Sequence, residues 1–270
     1  MVNIIQRNFF RLLRCGAFQT TEVLEPMSVH KWSKLYQLAT VHSVQSYVYQ
    51  GLKNCQDQFN LHLTDAQWKQ WLTAKENDED NDEDELLRPD KLTNPLLNRQ
   101  LQNILDDEQS DINTRRMLIR IISIARRILN EGLPLRLLIE LGLTLRANNS
   151  KADYEVLGSW LKKLHFEQMA QLEATLLMDL FGLDPKDIPF AESDADRKTI
   201  VVAKELAEYT NIRQDFYFSQ GSDSIFVHTS NGGALINHIK RSARYMRFIP
   251  SEAFTNFFAS FAHSLTHIEE

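Results

Sequence analysis

Residues 131–146 read EGLPLRLLIELGLTLR, and as a helix this stretch would be apolar on almost every side. The polar residues Arg136, Glu140 and Thr144 are spaced four apart, so they would form a single stripe along it. Pro134 predicts the start of the helix, because proline fits the first turn, where its missing N–H removes no hydrogen bond. A helix that is apolar nearly all round belongs in the interior of a bundle. We therefore expect this helix at the centre of the fold, with Arg136 and Glu140 paired along the stripe.

The composition favours helices elsewhere too. Among 270 residues there are only nine glycines and seven prolines, and 43% of the chain is apolar, which is enough for a substantial core. The predicted fold class is all-α (mainly), a helical bundle around the buried central helix. One segment, residues 215–229, has the pattern of at most a small β-hairpin.

Helical spacing and capping residues predict further helices along the chain. Gly16 and Gly51 are interpreted as residues that end the first two, and Ser28 as the N-cap of the second. The arginines of the first helix are expected on a solvent-exposed face, and the aromatic residues of the last helix are expected to close the core. The predicted helices cover residues 2–15, 28–51, 94–105, 111–130, 153–164 and 166–181, with one further short helix from Thr64 and a last one from Ser251.

An acidic run divides the chain. Residues 76–85 hold eight acids, which leave 30 basic against 28 acidic residues elsewhere, so the net charge of −6 is a local feature. Such a run of like charges offers nothing apolar to bury. It predicts a helical lead-in at 1–75, an acidic linker or loop at 76–93 and a helical domain at 94–270, although 1–75 and 94–270 could also form one continuous domain.

Several functional classes lack their signals. Cys15 and Cys55 lie far apart without a CxxC motif, so neither a disulfide framework nor a zinc site is predicted. The arginine-rich stretch 111–130 has no aromatic residues among its arginines, which does not favour nucleic-acid binding. No segment is long and apolar enough to span a membrane. We expect a cytoplasmic protein, although the arginines before Glu22 are also typical of a mitochondrial transit peptide.

One cluster of basic residues is the best candidate for a binding site. Lys240, Arg244 and Arg247 would line one face of a helix, where three cations can hold a phosphate group. The alternative is that they are ordinary surface residues.

Parts of the chain resemble a known family. The central stretch and its continuation to Phe190 look like the helical half of bacterial nucleotidyltransferase-like proteins, common in Bacteroidetes, of the polymerase-beta-like superfamily. The N-terminal stretch FFRLLRCGAF is similar to the lead-in of that family. The matching residues are Gly132, Leu135, Arg136, Gly182, Leu183, Pro189 and Phe190, followed by Asn231, Gly232, Gly233, Arg241, Arg244, Pro250, Glu252 and Ala253.

The active members of that family carry a Gly-Ser turn followed by paired carboxylates that hold Mg²⁺ against a triphosphate. Neither Gly158-Ser159 nor Gly221-Ser222 is followed by such a pair. The resemblance therefore implies a catalytically inactive protein, without cofactor or metal, that acts as a binding or assembly partner of another protein, which could be a full-length nucleotidyltransferase. Two alternatives stay open: an active Mg²⁺-dependent nucleotidyltransferase whose acids lie elsewhere, and a helical module that binds phosphate or polyanions.

Overall fold

The computed structural model describes residues 4–58, 61–79, 91–107, 110–130, 132–148, 151–191, 197–208, 245–256 and 258. Within these residues the regular structure is helical and no strand occurs, which confirms the all-α prediction. The hairpin predicted at 215–229 lies outside them. The helices are α1 Ile4–Phe18, α2 Val29–Val41, α3 Gln45–Asn54, α4 Asp65–Glu79, α5 Pro95–Leu105, α6 Ile112–Asn130, α7 Leu135–Asn148, α8 Tyr154–Leu164, α9 Glu167–Phe181, α10 Arg197–Glu208 and α11, which comprises the helical residues 250–256 and 258.

The predicted central helix is α7, and it is buried as expected. Leu138 and Leu141 are completely inaccessible to solvent. The carbonyl of Pro134 accepts the hydrogen bond of Leu138 N–H at 3.0 Å, so the proline directly precedes the helix, as predicted. Arg136 Nε lies 3.0 Å from Glu140 Oε1 along the half-buried polar stripe. The helix contacts α6, α9 and α1.

A second buried helix, α9, shares the centre of the bundle. Every residue from Met169 to Leu177 is buried, and the helix contacts α1, α6, α7, α8 and α10. The burial of α9 is not evident from its sequence, because the helix contains the polar residues Gln171, Glu173 and Thr175. Enclosure on all sides places Glu173 in the apolar interior of the protein.

Close packing of α1 on α3 corrects the interpretation of two glycines. Gly16 and Gly51 were predicted to end helices, but both lie inside one. A Cβ atom on Gly16 would stand 1.9 Å from the carbonyl oxygen of Tyr47, and one on Gly51 would stand 2.2 Å from that of Leu12. The glycines are therefore needed because the two backbones touch.

The single helix predicted at 28–51 is in fact two. Ser28 is the N-cap of α2, since its hydroxyl accepts the hydrogen bond of Lys31 N–H, as predicted. The helix ends at Val41, and Ser43 adopts a left-handed conformation with φ of +52°. This break turns the chain so that α3 can pack against α1.

Ion pairs hold the segment 19–28 against α1. Arg7 is exposed, as predicted for the arginines of this helix, whereas Arg11 and Arg14 are half-buried. Arg7 forms two 2.7 Å hydrogen bonds to the Glu25 carboxylate, and Arg11 adds a third at 2.8 Å. Arg14 pairs with Glu22 at 2.6 Å. The segment thereby closes over α1 and leads the chain into α2.

The acidic run lies largely outside the described residues. Residues 76–79 belong to the last turn of α4, and residues 80–90 are not among those described. The N-terminal helices pack onto the same core as the later ones. The ring centroids of Phe18 and Phe181 are 5.3 Å apart, and Arg146 donates a hydrogen bond to the Phe18 carbonyl at 2.9 Å.

Candidate functional site

The predicted phosphate-binding cluster falls only partly within the described residues. Lys240 and Arg244 lie outside them. Arg247 is exposed and stands just before α11, between the buried residues Tyr245 and Phe248. The cluster therefore stays a prediction.

Three arginines of α6 have partners inside the fold. Arg115 donates to the Leu105 carbonyl at 3.1 Å, and Arg120 lies 3.5 Å from the Glu140 carboxylate. Arg126 forms an ion pair with Glu252 at 3.0 Å. These contacts indicate that the three arginines bind other groups of the protein and stabilise its fold.

Glu252 anchors α11 to the rest of the protein. Its side chain is completely buried, and its two oxygens accept hydrogen bonds from the backbone N–H groups of Thr93 at 2.7 Å and Asn94 at 2.9 Å. Asn94 is the N-cap of α5, so the carboxylate lies at a helix N-terminus, where backbone N–H groups and the helix dipole favour negative charge. With Arg126 as a third donor, the buried charge is well compensated.

Asn256 extends this anchor one turn along α11. Its side-chain oxygen accepts a hydrogen bond from Arg126 at 3.2 Å, and its amide donates to Asn130 Oδ1 at 2.9 Å. Thr255 adds a hydroxyl contact of 2.9 Å to Thr93. The inner face of α11 is thus fixed to α5 and α6 by polar contacts.

The opposite face of α11 carries two exposed aromatic residues. Phe254 is 53% exposed and Phe258 is 51% exposed, and their ring centroids lie 4.8 Å apart. Residues two positions apart on a helix point about 200° apart, so Phe254 faces away from Glu252. The expectation that the aromatic residues of this helix close the core is wrong for Phe254 and Phe258, because they lie opposite the polar anchor, and Phe257, Phe261 and Leu265 lie outside the described residues.

Outside this region, Glu173 is the titratable residue with the most unusual environment. The residue is completely buried in α9, and neither carboxyl oxygen has a hydrogen-bond partner. Burial raises the pKa of Glu173 well above its ordinary value, because an apolar interior disfavours the charged form. This side chain has no exposed surface, so it cannot reach a substrate as a general base must.

A shallow groove of about 360 Å³ separates α2 from α4. Its lining is mixed polar and apolar and includes one cation, Lys69, but no carboxylate. The groove therefore does not bring an acid and a base together. The lining residues are Tyr36, Ala66, Lys69, Gln70, Thr73, Ala74 and Asn77.

The described part of the chain contains neither a metal-binding cluster nor a helix that could span a membrane. Within it, no group of three or more His, Cys, Asp or Glu side chains is arranged to hold a metal ion. None of its helices combines the length and apolar character that crossing a membrane requires.

No protein-family model, no curated protein and no solved structure matches this chain. The resemblance to nucleotidyltransferases therefore rests on the quoted residues alone.

The sequence contained a weak signal for the anchored helix. Residues 224–251 include four lysines and arginines but no acid, and Glu252 is the first carboxylate after them. A lone acid within an aromatic helix can mark a buried charge. Its partners Thr93, Asn94 and Arg126 lie more than a hundred residues earlier, so local patterns could not identify them.

Proposed function

We propose that this protein acts as a non-catalytic binding or assembly partner and that the outer face of α11 is its recognition surface. The observation that carries the proposal is the exposure of Phe254 and Phe258 on a helix whose inner face is held by the buried carboxylate of Glu252. Large apolar side chains exposed together are typical of interaction sites. Aromatic residues are also enriched among those that contribute most to binding between proteins.

The anchor supports the proposal because a binding surface works best when it is already ordered. Glu252 accepts three hydrogen bonds and Asn256 takes part in two more. A helix fixed in this way loses little conformational freedom when a partner docks on it, so less of the interaction free energy is spent on ordering.

The charge of the neighbouring sequence indicates the chemistry of the partner. Residues 240–247 contain Lys240, Arg241, Arg244 and Arg247, and the exposed Arg247 directly precedes α11. A protein surface with an apolar depression and an acidic rim would complement both features. We therefore propose another protein as the partner.

The family resemblance supports a narrower version of this proposal. In it, the chain is an inactive bacterial relative of the nucleotidyltransferases, located in the cytoplasm, and its partner is a full-length nucleotidyltransferase. This version predicts no incorporation of labelled ribonucleotides with Mg²⁺ or Mn²⁺. Incorporation that depends on metal and on a carboxylate of this chain would instead support the active-enzyme alternative.

A second candidate function is binding of a phosphate group or polyanion. It is supported by the basic residues Lys240, Arg244 and Arg247 in the sequence. This candidate predicts binding that weakens steeply with salt and survives Phe254→Ser/Phe258→Ser, whereas docking of a protein partner on α11 requires the two rings.

Photo-crosslinking tests the proposal. A benzophenone amino acid is placed at position 254 or 258, and at Val23 as the control, since Val23 is 73% exposed and lies in the segment next to α1. In cells of the source organism, both α11 positions should crosslink the same protein and Val23 should not. Identical products from all three positions would contradict a recognition surface on α11.

A further inference from the structure

Two cysteines meet where α1 crosses α3. Cys15 lies in α1 and Cys55 directly follows the last residue of α3, although 40 positions separate them in sequence. Both thiols are free, and the two Sγ atoms lie 3.4 Å apart. The cysteines are only 3% and 2% exposed. No local sequence pattern pairs them, because the contact depends on the packing of the two helices.

The surrounding contacts hold the two sulfur atoms together. The neighbouring glycines Gly16 and Gly51 allow the backbones of α1 and α3 to touch. Asn54 donates a hydrogen bond from its side-chain amide to the Cys15 carbonyl at 2.9 Å, which ties the end of α3 to the cysteine of α1. A disulfide has an S–S distance of about 2.05 Å. The two sulfur atoms must therefore approach by about 1.35 Å for the bond to form.

We propose that Cys15 and Cys55 are an oxidation site, where a peroxide converts the two thiols into a reversible disulfide that locks α1 to the end of α3. One thiolate attacks a peroxide oxygen, forms a sulfenic acid and releases water from hydrogen peroxide. The second thiolate then attacks the sulfenic sulfur, and a second water leaves as the disulfide forms. Overall, two thiols are oxidised and one peroxide is reduced to two waters. A dithiol reductant reverses the reaction.

Burial makes this reaction slow in the folded protein. It raises the pKa of the Cys55 thiol to about 12, so the reactive thiolate is rare near neutral pH. Transient opening of the crossing admits peroxide and exposes the thiols. Brief contact with peroxide therefore leaves the two thiols reduced, whereas prolonged contact oxidises them.

The disulfide should stabilise the protein, because it joins residues 40 positions apart and restricts the unfolded chain. For a chain of this size we expect the melting temperature to rise by about 5 to 10 °C.

The test treats the full-length protein with hydrogen peroxide and digests it with trypsin without reduction. Cleavage after Arg14, Lys31, Lys53 and Lys69 places the two cysteines in peptides 15–31 and 54–69. The expected product is one linked peptide pair, 2 Da lighter than the sum of its parts, together with a higher melting temperature. Both changes should disappear after dithiothreitol treatment. Cys15→Ser and Cys55→Ser should give no linked peptide and no rise in melting temperature.

Three results would overturn the proposal. Wild-type protein could give sulfinic acid or intermolecular dimers as its main products. It could keep both thiols after hours in excess peroxide. It could also form the linked peptide without any rise in melting temperature, which would mean that the bond does not lock the crossing. The single-cysteine variants serve only as controls, so a folding defect in either one would not affect these readings.

Discussion

Replacing Glu173 by methionine should stabilise the protein. The glutamate is completely buried in α9, and both carboxyl oxygens lack a hydrogen-bond partner. Burial of a neutral polar group without such a partner costs about 1–3 kcal/mol in proteins. Methionine has the same chain length and fills nearly the same volume, so the exchange should cause little strain. We expect the free energy of unfolding to rise by about 1–3 kcal/mol at pH 4, where the carboxyl group of the unfolded chain is still mostly neutral.

The gain should increase as the pH rises. Burial raises the pKa of Glu173 in the folded state, so above the ordinary pKa of a glutamate the unfolded chain loses this proton while the folded protein keeps it. Wild-type stability from this group is thus fully present below the unfolded pKa and is lost as the pH rises toward the folded pKa. The difference between wild type and Glu173→Met should grow by up to about 1.4 kcal/mol for each pH unit in that window.

Urea denaturation at pH 4, 5, 6 and 7 measures both effects. Glu173→Gln is the matched polar control: it should lose the pH dependence but gain less stability than the methionine variant. Glu167→Met on the exposed first turn of the same helix should change the free energy of unfolding by less than about 0.5 kcal/mol. A destabilised Glu173→Met, or a difference that does not change with pH, would refute the account of an unpartnered buried carboxyl group.

Three further changes test other parts of the fold. Leu138→Asp should unfold the protein, because it buries an unpaired charge in α7, and wild-type helicity by circular dichroism would contradict a central position of that helix. Glu252→Ala should cost about 3–5 kcal/mol in urea denaturation, since it removes the carboxylate that pairs with the part-buried Arg126, and a loss below about 1 kcal/mol would show that α11 is not anchored there. Glu25→Gln should reduce the loss of stability on acidification. Arg7 lowers the pKa of Glu25 to about 2. The contribution of the Glu25 carboxylate to stability is therefore present above the ordinary glutamate pKa and disappears as the pH falls toward 2. A variant whose unfolding curves keep the wild-type acid dependence would contradict this.

Local sequence patterns predicted much of the fold. The position of Pro134, the spacing of Arg136 and Glu140, and the cap at Ser28 are all features of single helices, and the structure confirms each of them. Capping and periodicity depend on residues within one or two turns, so they can be identified from a short window.

Features that depend on packing between distant segments were not predictable in this way. Gly16 and Gly51 have the pattern of helix ends, but their role comes from the touching backbones of α1 and α3. The contact between Cys15 and Cys55 has the same origin. Glu252 is buried only because α5 and α6 supply its donors, which frees the opposite face of α11 to carry exposed aromatic residues. The candidate site was therefore the part of the molecule least accessible to sequence reasoning.

The most direct test of the recognition surface is the affinity of the crosslinked partner, once purified, for variants of α11. Phe254→Ser/Phe258→Ser removes both exposed rings, and Val23→Ser removes a more exposed apolar side chain far from Glu252 in sequence. Two aromatic residues that each contribute about 2 kcal/mol to binding predict a loss of affinity of about 700-fold for the double variant. The melting temperature should stay unchanged, and Val23→Ser should bind like wild type. An unchanged dissociation constant for the double variant would contradict the central claim that the outer face of α11 binds the partner.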